Sequence, residues 1–100
     1  MTSINLGNYT VVIQVEGERR EVPYEVRPSL VNLLFAQQNL TAMDILDRDD
    51  LGRKIRDHAG EMMALEEAEF KMLEHAVKTF KGFGQHDVEL VRRIMLAAPQ

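Results

Sequence analysis

The sequence contains no cysteine. This absence excludes disulfide bonds, a thiol nucleophile and cysteine-based zinc sites, and it is typical of a reducing compartment. Uninterrupted apolar runs extend over only a few residues, far fewer than the roughly 20 that a helix needs to cross a bilayer. Residues 1–7 also lack the basic segment followed by an apolar segment that marks a secretory signal peptide. The sequence therefore predicts a soluble cytoplasmic protein with no membrane partner.

Residues that commonly carry catalysis are scarce or scattered. The only serines are Ser3 and Ser29, and neither lies in a GxSxG motif. The glycines form no phosphate-binding loop, and no two histidines have the helical spacing of a metal site. Segment 47–58 has the first aspartates of a calcium loop, but it places Leu51 and His58 where oxygen ligands are required. We therefore expect no enzymatic activity, no cofactor and no metal.

Length and charge limit the choice further. A chain of 100 residues with 45% apolar and 28% charged residues is ordinary for one globular domain with a single hydrophobic core. The formal net charge of −4 disfavours a nucleic-acid partner, because clustered lysines and arginines supply most of the affinity for phosphates. We expect a single domain over 1–100 whose partner is another protein or a second copy of itself.

Residues 9–27 have the two-residue periodicity of a β-hairpin with one apolar face and one polar face. Glu16 and Gly17 supply the turn, and Pro23 indicates an edge strand because it cannot donate a backbone hydrogen bond. The apolar positions are Tyr9, Val11, Ile13, Val15, Val22, Tyr24 and Val26.

The pairing register of this hairpin has two solutions. A two-residue loop pairs Val11 with Val22 and Tyr9 with Tyr24. A four-residue loop pairs Ile13 with Val22 instead. Both keep the apolar side chains on one face, so the pattern alone does not choose between them.

The remainder, about 29–98, predicts three to four helices. The first runs from Leu30 to about Gln38, with Ser29 as its N-cap, and it is apolar around much of its circumference. A helix this short and this apolar is expected to be buried or covered by a partner.

Segment 41–60 predicts two short helices. Thr41 and Asp44 form a capping box for the first, and a second begins at Asp49 and ends near Gly60. Such a pair of helices also allows a helix-turn-helix DNA-binding regulator as the alternative function, with Arg53, Lys54 and Arg56 on its recognition face. Five aspartates in the same stretch oppose it, because they would repel phosphate: Asp44, Asp47, Asp49, Asp50 and Asp57.

Segment 61–65 allows two interpretations. It starts the next helix directly, or it forms a short strand over Met62–Leu65 that joins the hairpin as a third strand. We favour the strand, because two strands alone are marginally stable.

The last third predicts two further helices. From Glu66 the apolar residues follow helical spacing as far as Phe80, and Gly82 ends the helix. A last helix begins at Asp87, with its inner side formed by Val88, Leu90, Val91, Ile94, Met95 and Leu96.

The same region carries a resemblance. Segment Leu65–Phe70 with the apolar positions that follow it, then Gly82–Gly84 and Asp87–Val91, resembles small proteins encoded in tailed-bacteriophage genomes over about the last 40 residues. The resemblance implies an accessory protein that acts through protein contacts, as an assembly factor, a minor virion component or an inhibitor of a host protein. It implies a location in the host cytoplasm or the virion, and it assigns no functional residue.

Together these patterns predict an α+β domain, a hairpin packed by three to four helices, that functions as a non-enzymatic protein-binding or self-assembling module. The predicted contact residues are apolar positions that exceed what one small core can bury: Leu34, Phe35, Met62, Met63 and Phe83.

Overall fold

The structure, a computed structural model, describes residues 1–37 and 39–97. Within these residues, two small antiparallel sheets and four helices confirm the α+β class. A 3-10 turn over Gln85–Asp87 precedes the last helix. In chain order the elements are β1 (Thr2–Asn5), β2 (Tyr9–Val15), β3 (Glu18–Tyr24), α1 (Val26–Phe35), α2 (Ala42–Asp57), β4 (Met62–Leu65), α3 (Glu67–Thr79) and α4 (Val88–Met95).

Strands β2 and β3 form the predicted hairpin. Glu16 and Gly17 have φ angles of 52° and 83°, and two consecutive positive values are the signature of a type I′ turn, whose twist matches that of paired strands. The two-residue loop sets the register, in which Tyr9 faces Tyr24 and Val11 faces Val22. The first of the two predicted registers is therefore the one adopted.

Residues Met62–Leu65 form a strand, as favoured, but not in the predicted sheet. Strand β4 pairs antiparallel with β1, and the hairpin remains a separate two-stranded sheet. In the register of this pair, Ile4 lies opposite Met63, and both are buried. The prediction of a third hairpin strand was wrong because β4 finds its partner in the first residues of the chain, where no strand was predicted.

Helix α1 begins earlier than predicted. Its first residue is Val26 and its N-cap is Glu25, so Ser29 lies inside the first turn, where its hydroxyl donates to the Glu25 carbonyl at 2.7 Å. Pro28 is tolerated there because the first N–H groups of a helix have no intrahelical partner. The N–H of Val26 instead donates to the side-chain oxygen of Asn8 at 3.0 Å. The predicted N-cap was therefore wrong, and the predicted end at Gln38 lies outside the described residues.

Helix α2 is one continuous helix where two were predicted. The capping box at its start is confirmed, since the N–H of Asp44 donates to the Thr41 hydroxyl and the N–H of Thr41 donates to the Asp44 carboxylate, both at 3.1 Å. No glycine or proline interrupts residues 42–51. The buried Arg48 donates to the Leu34 carbonyl at 2.9 Å and joins α2 to the end of α1. The predicted break was wrong because aspartates facing solvent do not end a helix whose opposite side is packed.

The C-terminal end of α2 is held by one side chain from α1. The Arg27 guanidinium donates to the carbonyls of Ile55, His58 and Gly60 at 3.0, 2.6 and 2.7 Å. The last carbonyls of a helix have no intrahelical donor, and a cation is favoured at that end of the helix dipole. Arg27 therefore caps α2 and attaches it to α1.

The two last helices are confirmed. Helix α3 begins after a capping box between Glu66 and Glu69, and α4 follows Asp87. On α4 only part of the predicted inner side is inside: Leu90 and Ile94 are buried, whereas Val88 and the last apolar residues of the helix are exposed.

One hydrophobic core joins β1, β4 and the four helices. Among the described residues of β2 and β3, Tyr9 and Tyr24 pack against this core, and none is one of its fully buried members. The molecule measures 46 × 31 × 23 Å, and its radius of gyration of 14.3 Å exceeds the roughly 13 Å typical of this length. No described helix is both long and apolar enough to span a membrane. The core residues are Ile4, Leu6, Val26, Leu30, Leu33, Leu34, Leu51, Ile55, Met63, Leu65, Leu73, Ala76, Val77, Leu90 and Ile94.

Candidate protein-binding site

The hairpin is attached to the body at its base. Tyr9 and Tyr24, opposite each other at the open end, stack with ring centroids 4.6 Å apart and planes inclined by 10°. The Tyr9 hydroxyl donates to the His86 carbonyl at 2.7 Å and accepts from the N–H of Leu90 at 3.3 Å. These contacts connect the first pair of hairpin residues to the start of α4.

Two charged side chains complete the attachment. The Tyr24 hydroxyl donates to the Asp87 carboxylate, whose other oxygen accepts from the N–H of Gly84 at 2.7 Å. The Arg93 guanidinium lies 5.1 Å from the centroid of the Tyr9 ring, which is within cation–π range, and it also donates to the carbonyls of Asn5 and Gly7 at 3.1 and 2.6 Å. The base of the hairpin, the linker after β1 and α4 therefore form one connected cluster.

The pKa values of both tyrosines are raised in this cluster. Burial, and next the hydrogen bond to Asp87, raise the pKa of Tyr24 to about 12. Burial is also the main cause that raises the pKa of Tyr9 above its usual value. Both hydroxyls therefore stay protonated, and able to donate a hydrogen bond, to higher pH than in an ordinary tyrosine.

Beyond the base, the hairpin is exposed on both faces. Val11, Ile13 and Val22 are only half buried on the face that carries the tyrosines, and Val12 on the opposite face is 42% exposed. Val15, beside the turn, is also exposed. Two adjacent strands with apolar side chains and no cover are a feature of interaction surfaces.

The two outer edges of the hairpin differ in composition. The β2 edge, Tyr9–Val15, has no charged residue, glycine or proline. The β3 edge contains Pro23 and the charged run Glu18–Glu21. Charged residues and proline are the usual means by which a protein protects an edge strand from pairing, so β3 is protected and β2 is not.

A groove runs along the unprotected edge. One wall is β2 and the other is formed by the residues around the start of α4. Its lining is Tyr9, Thr10, Val11, Val12, Gln14, Arg19, Gln85, His86, Val88 and Glu89. Because five of the seven β2 residues line it, the groove lies beside the strand itself and offers room for an extended segment.

The five contact residues predicted from the sequence do not form this surface. Leu34 and Met63 are 0% and 5% exposed, so both belong to the core and do not lie on the surface. The helix and strand that carry them each turn these side chains inward, which apolar composition alone does not reveal.

The other three lie on separate elements. Phe35 is partly exposed at the end of α1, and Met62, 58% exposed, lies on the outer side of β4. Phe83 is half buried in the segment before α4 and meets Phe80 edge to face at 4.8 Å. The signal for the hairpin surface was instead the uncharged alternation of β2 beside the charged β3.

The basic residues of the predicted DNA-binding face lie on the single helix α2, without the turn that a helix-turn-helix requires. Arg53 pairs with Asp49 at 3.0 Å, and Lys54 pairs with Glu69 of α3 at 2.7 Å. Each is thus close to a carboxylate that competes with a phosphate.

The described surface has other depressions, among them one of about 790 Å³ beside the end of α1 that is lined mainly by polar and charged side chains of α2, α3 and the neighbouring loops. A cleft of about 240 Å³ between α1, α3 and α4 is lined by Leu33, Phe80 and Phe83, with Tyr24 and Asp87 at its wall. It is smaller than the roughly 300–1,000 Å³ usual for small-molecule sites. The described residues contain no cluster of three or more histidine or acidic side chains arranged to bind a metal.

No protein family, curated protein or solved structure matches the chain. The resemblance to phage proteins stays a prediction.

Proposed function

We propose that the chain is a non-enzymatic protein-binding module whose contact surface is the β2/β3 hairpin. One observation carries the proposal: the hairpin exposes valine and isoleucine side chains on both faces while its attachment to the body is confined to its base. An accessory role in assembly, of the kind that the resemblance to phage proteins implies, requires such a surface.

Energetics support this surface over the rest of the molecule. A two-stranded hairpin is only marginally stable in water, and complete burial of one valine is worth roughly 1.5 kcal/mol or more. A partner that covers several of these side chains would therefore stabilise the hairpin, and the same burial of apolar side chains would supply the affinity of binding. The exposed apolar residues of α2, Met43, Ile45 and Leu46, belong to a helix that is already stabilised by its packed side.

Site-specific photo-cross-linking tests the proposal. A photoreactive amino acid in place of Val15 is expected to form adducts with another protein chain, either a second copy or a different protein. The matched control places it at Leu46, which is 57% exposed on α2. Adducts from Leu46 and none from Val15 would overturn the assignment of the hairpin.

A pair of aspartate variants gives a second measurement. Ile13→Asp is expected to abolish the adducts formed from Val15 without unfolding the hairpin, because Ile13 lies opposite Arg20 and a cross-strand charge pair is tolerated there. Met62→Asp, on the outer side of β4, is expected to leave the adducts unchanged. Equal losses in both variants would contradict a role specific to the hairpin.

A further inference from the structure

The unprotected edge of β2 has backbone groups available for pairing. In a hairpin closed by a two-residue turn, Val15 and Glu18 exchange both of their hydrogen bonds, and hydrogen-bonded pairs then alternate with pairs whose N–H and C=O groups point outward. Thr10, Val12 and Gln14 of β2 are consequently the outward-facing residues. Pro23, which has no N–H, lies opposite Thr10 at an outward-facing position of β3, in agreement with this alternation.

The side chains of β2 are complementary to those of β2 itself. Two β2 strands related by a two-fold axis through Val12 overlap over the five residues from Thr10 to Gln14. In this antiparallel arrangement Val11 meets Ile13 and Thr10 meets Gln14, whereas Tyr9 lies outside the paired segment because Tyr24 and Arg93 cover its ring. Apolar residues therefore face apolar residues, polar face polar, and the outward N–H and C=O groups of Thr10, Val12 and Gln14 coincide.

The charges at the two ends of the groove are also complementary under that rotation. Arg19 lies at the end of the groove near the turn, and Glu89 lies at the base, beside the start of α4. A two-fold axis through Val12 exchanges turn and base. Arg19 of each copy therefore approaches Glu89 of the other. Glu89 already pairs with Arg93 at 3.2 Å, but its carboxylate remains exposed and can accept from a second cation.

We infer that the chain forms a two-fold symmetric dimer in which the β2 edges pair into a four-stranded sheet of order β3–β2–β2–β3. The charged, proline-containing β3 strands are then the outer edges, which prevents further addition. Five paired residues on each strand bury much less than the roughly 1,200–2,000 Å² of a standard interface, so the dimer is in equilibrium with monomer. This inference rests on the proposed function and names a second copy as the partner.

Charge substitution at the two-fold axis tests the register. Val12→Lys brings two like charges together and Val12→Glu does the same, so each variant alone is expected to be monomeric by sedimentation equilibrium up to about 1 mM. An equimolar mixture of the two is expected to form a heterodimer. The controls Leu46→Lys and Leu46→Glu should dimerise like the wild-type chain, and circular dichroism checks that every variant is folded.

Cysteine cross-linking gives an answer that does not depend on charged variants folding. The chain has no cysteine, so Val12→Cys provides a single thiol, and a short thiol-to-thiol cross-linker is expected to join two copies much faster than it joins Leu46→Cys. Equal rates, or a wild-type chain that is monomeric at about 1 mM, would overturn the dimer. Adducts of Val15 with a different protein in that case would leave the proposed function standing and replace only the partner.

Discussion

Tyr24 is the residue at which folding and the candidate site are most directly connected. Its hydroxyl donates to Asp87 and its ring stacks on Tyr9, so one side chain joins the last residue of β3 to the start of α4. The exposed part of the hairpin is positioned relative to the groove by this attachment. Loss of this hydrogen bond is expected to loosen the attachment of the hairpin more than it destabilises the core.

Because of Tyr24, the free energy of unfolding is expected to decrease at high pH. Burial and the hydrogen bond to Asp87 raise its pKa to about 12 from an ordinary value of 10.0. Below the ordinary value the hydroxyl is protonated in the folded and unfolded chains, and its full contribution is present. Between the two values the unfolded chain loses the proton first, so the free energy of unfolding decreases as pH rises.

Urea unfolding at about pH 9 and about pH 11 measures this dependence. The wild-type chain is expected to lose more unfolding free energy over this interval than Tyr24→Phe. Titrations that are the same in both proteins cancel, so the difference between the two reports Tyr24 together with its effect on the neighbouring Tyr9. The same loss in both would contradict the raised pKa.

At the scale of helices and strands, the sequence predicted those elements that are determined by interactions between residues close in sequence. The alternation of β2 and β3, the capping box at Thr41 and the apolar spacing of α3 depend on residues close in sequence, and all three are present. The start of α1 and the continuity of α2 depend on other elements. Arg48 and Arg27 tie α2 to α1, and an arginine gives no local sign of which carbonyl it will reach.

Arg27 shows the size of such a contribution. Arg27→Ala removes donors from the carbonyls at the end of α2, and hydrogen bonds to charged groups are each worth about 1.5–3 kcal/mol. Because Arg27 is only partly buried, water replaces part of what these bonds supply, and we expect a total loss of about 2–3 kcal/mol in the free energy of unfolding by urea, with a partial recovery in Arg27→Lys.

Arg56→Ala is the matched control, because Arg56 is an exposed residue of the same helix whose ion pair with Asp57 is 3.8 Å long. Its effect should be within about 0.5 kcal/mol. Losses of similar size in the two alanine variants would show that the guanidinium of Arg27 does not hold the helix end.

At the scale of the whole molecule, the decisive contact joins segments nearly sixty residues apart. Strand β1 places Ile4 in the core beside its neighbour β4, and Leu6 enters the core just after the strand. Four residues with a single buried isoleucine among them form too short a pattern to predict. That pairing occupies β4 and leaves the hairpin outside the core. The candidate site could not be predicted from the sequence, because the exposure of β2 depends on which strand pairs with β4.

Hydrogen exchange distinguishes these two sheets. Amides that bond between β1 and β4 are expected to exchange only through global unfolding, because both strands contribute to the core, whereas amides that bond between β2 and β3 exchange through local opening at a lower free energy. Similar protection in both sheets would contradict the separation of the hairpin from the core.

Within the hairpin, the same measurement separates monomer from dimer. The N–H groups of Val11 and Ile13 point toward β3 and are expected to be protected at any protein concentration. Those of Thr10, Val12 and Gln14 point toward the open edge, so in the monomer they donate only to water and exchange rapidly. Pairing of two β2 edges provides acceptors for these three amides alone, and their protection should therefore rise with protein concentration while that of Val11 stays constant. A parallel rise across all hairpin amides would indicate general stabilisation by a partner bound elsewhere on the hairpin.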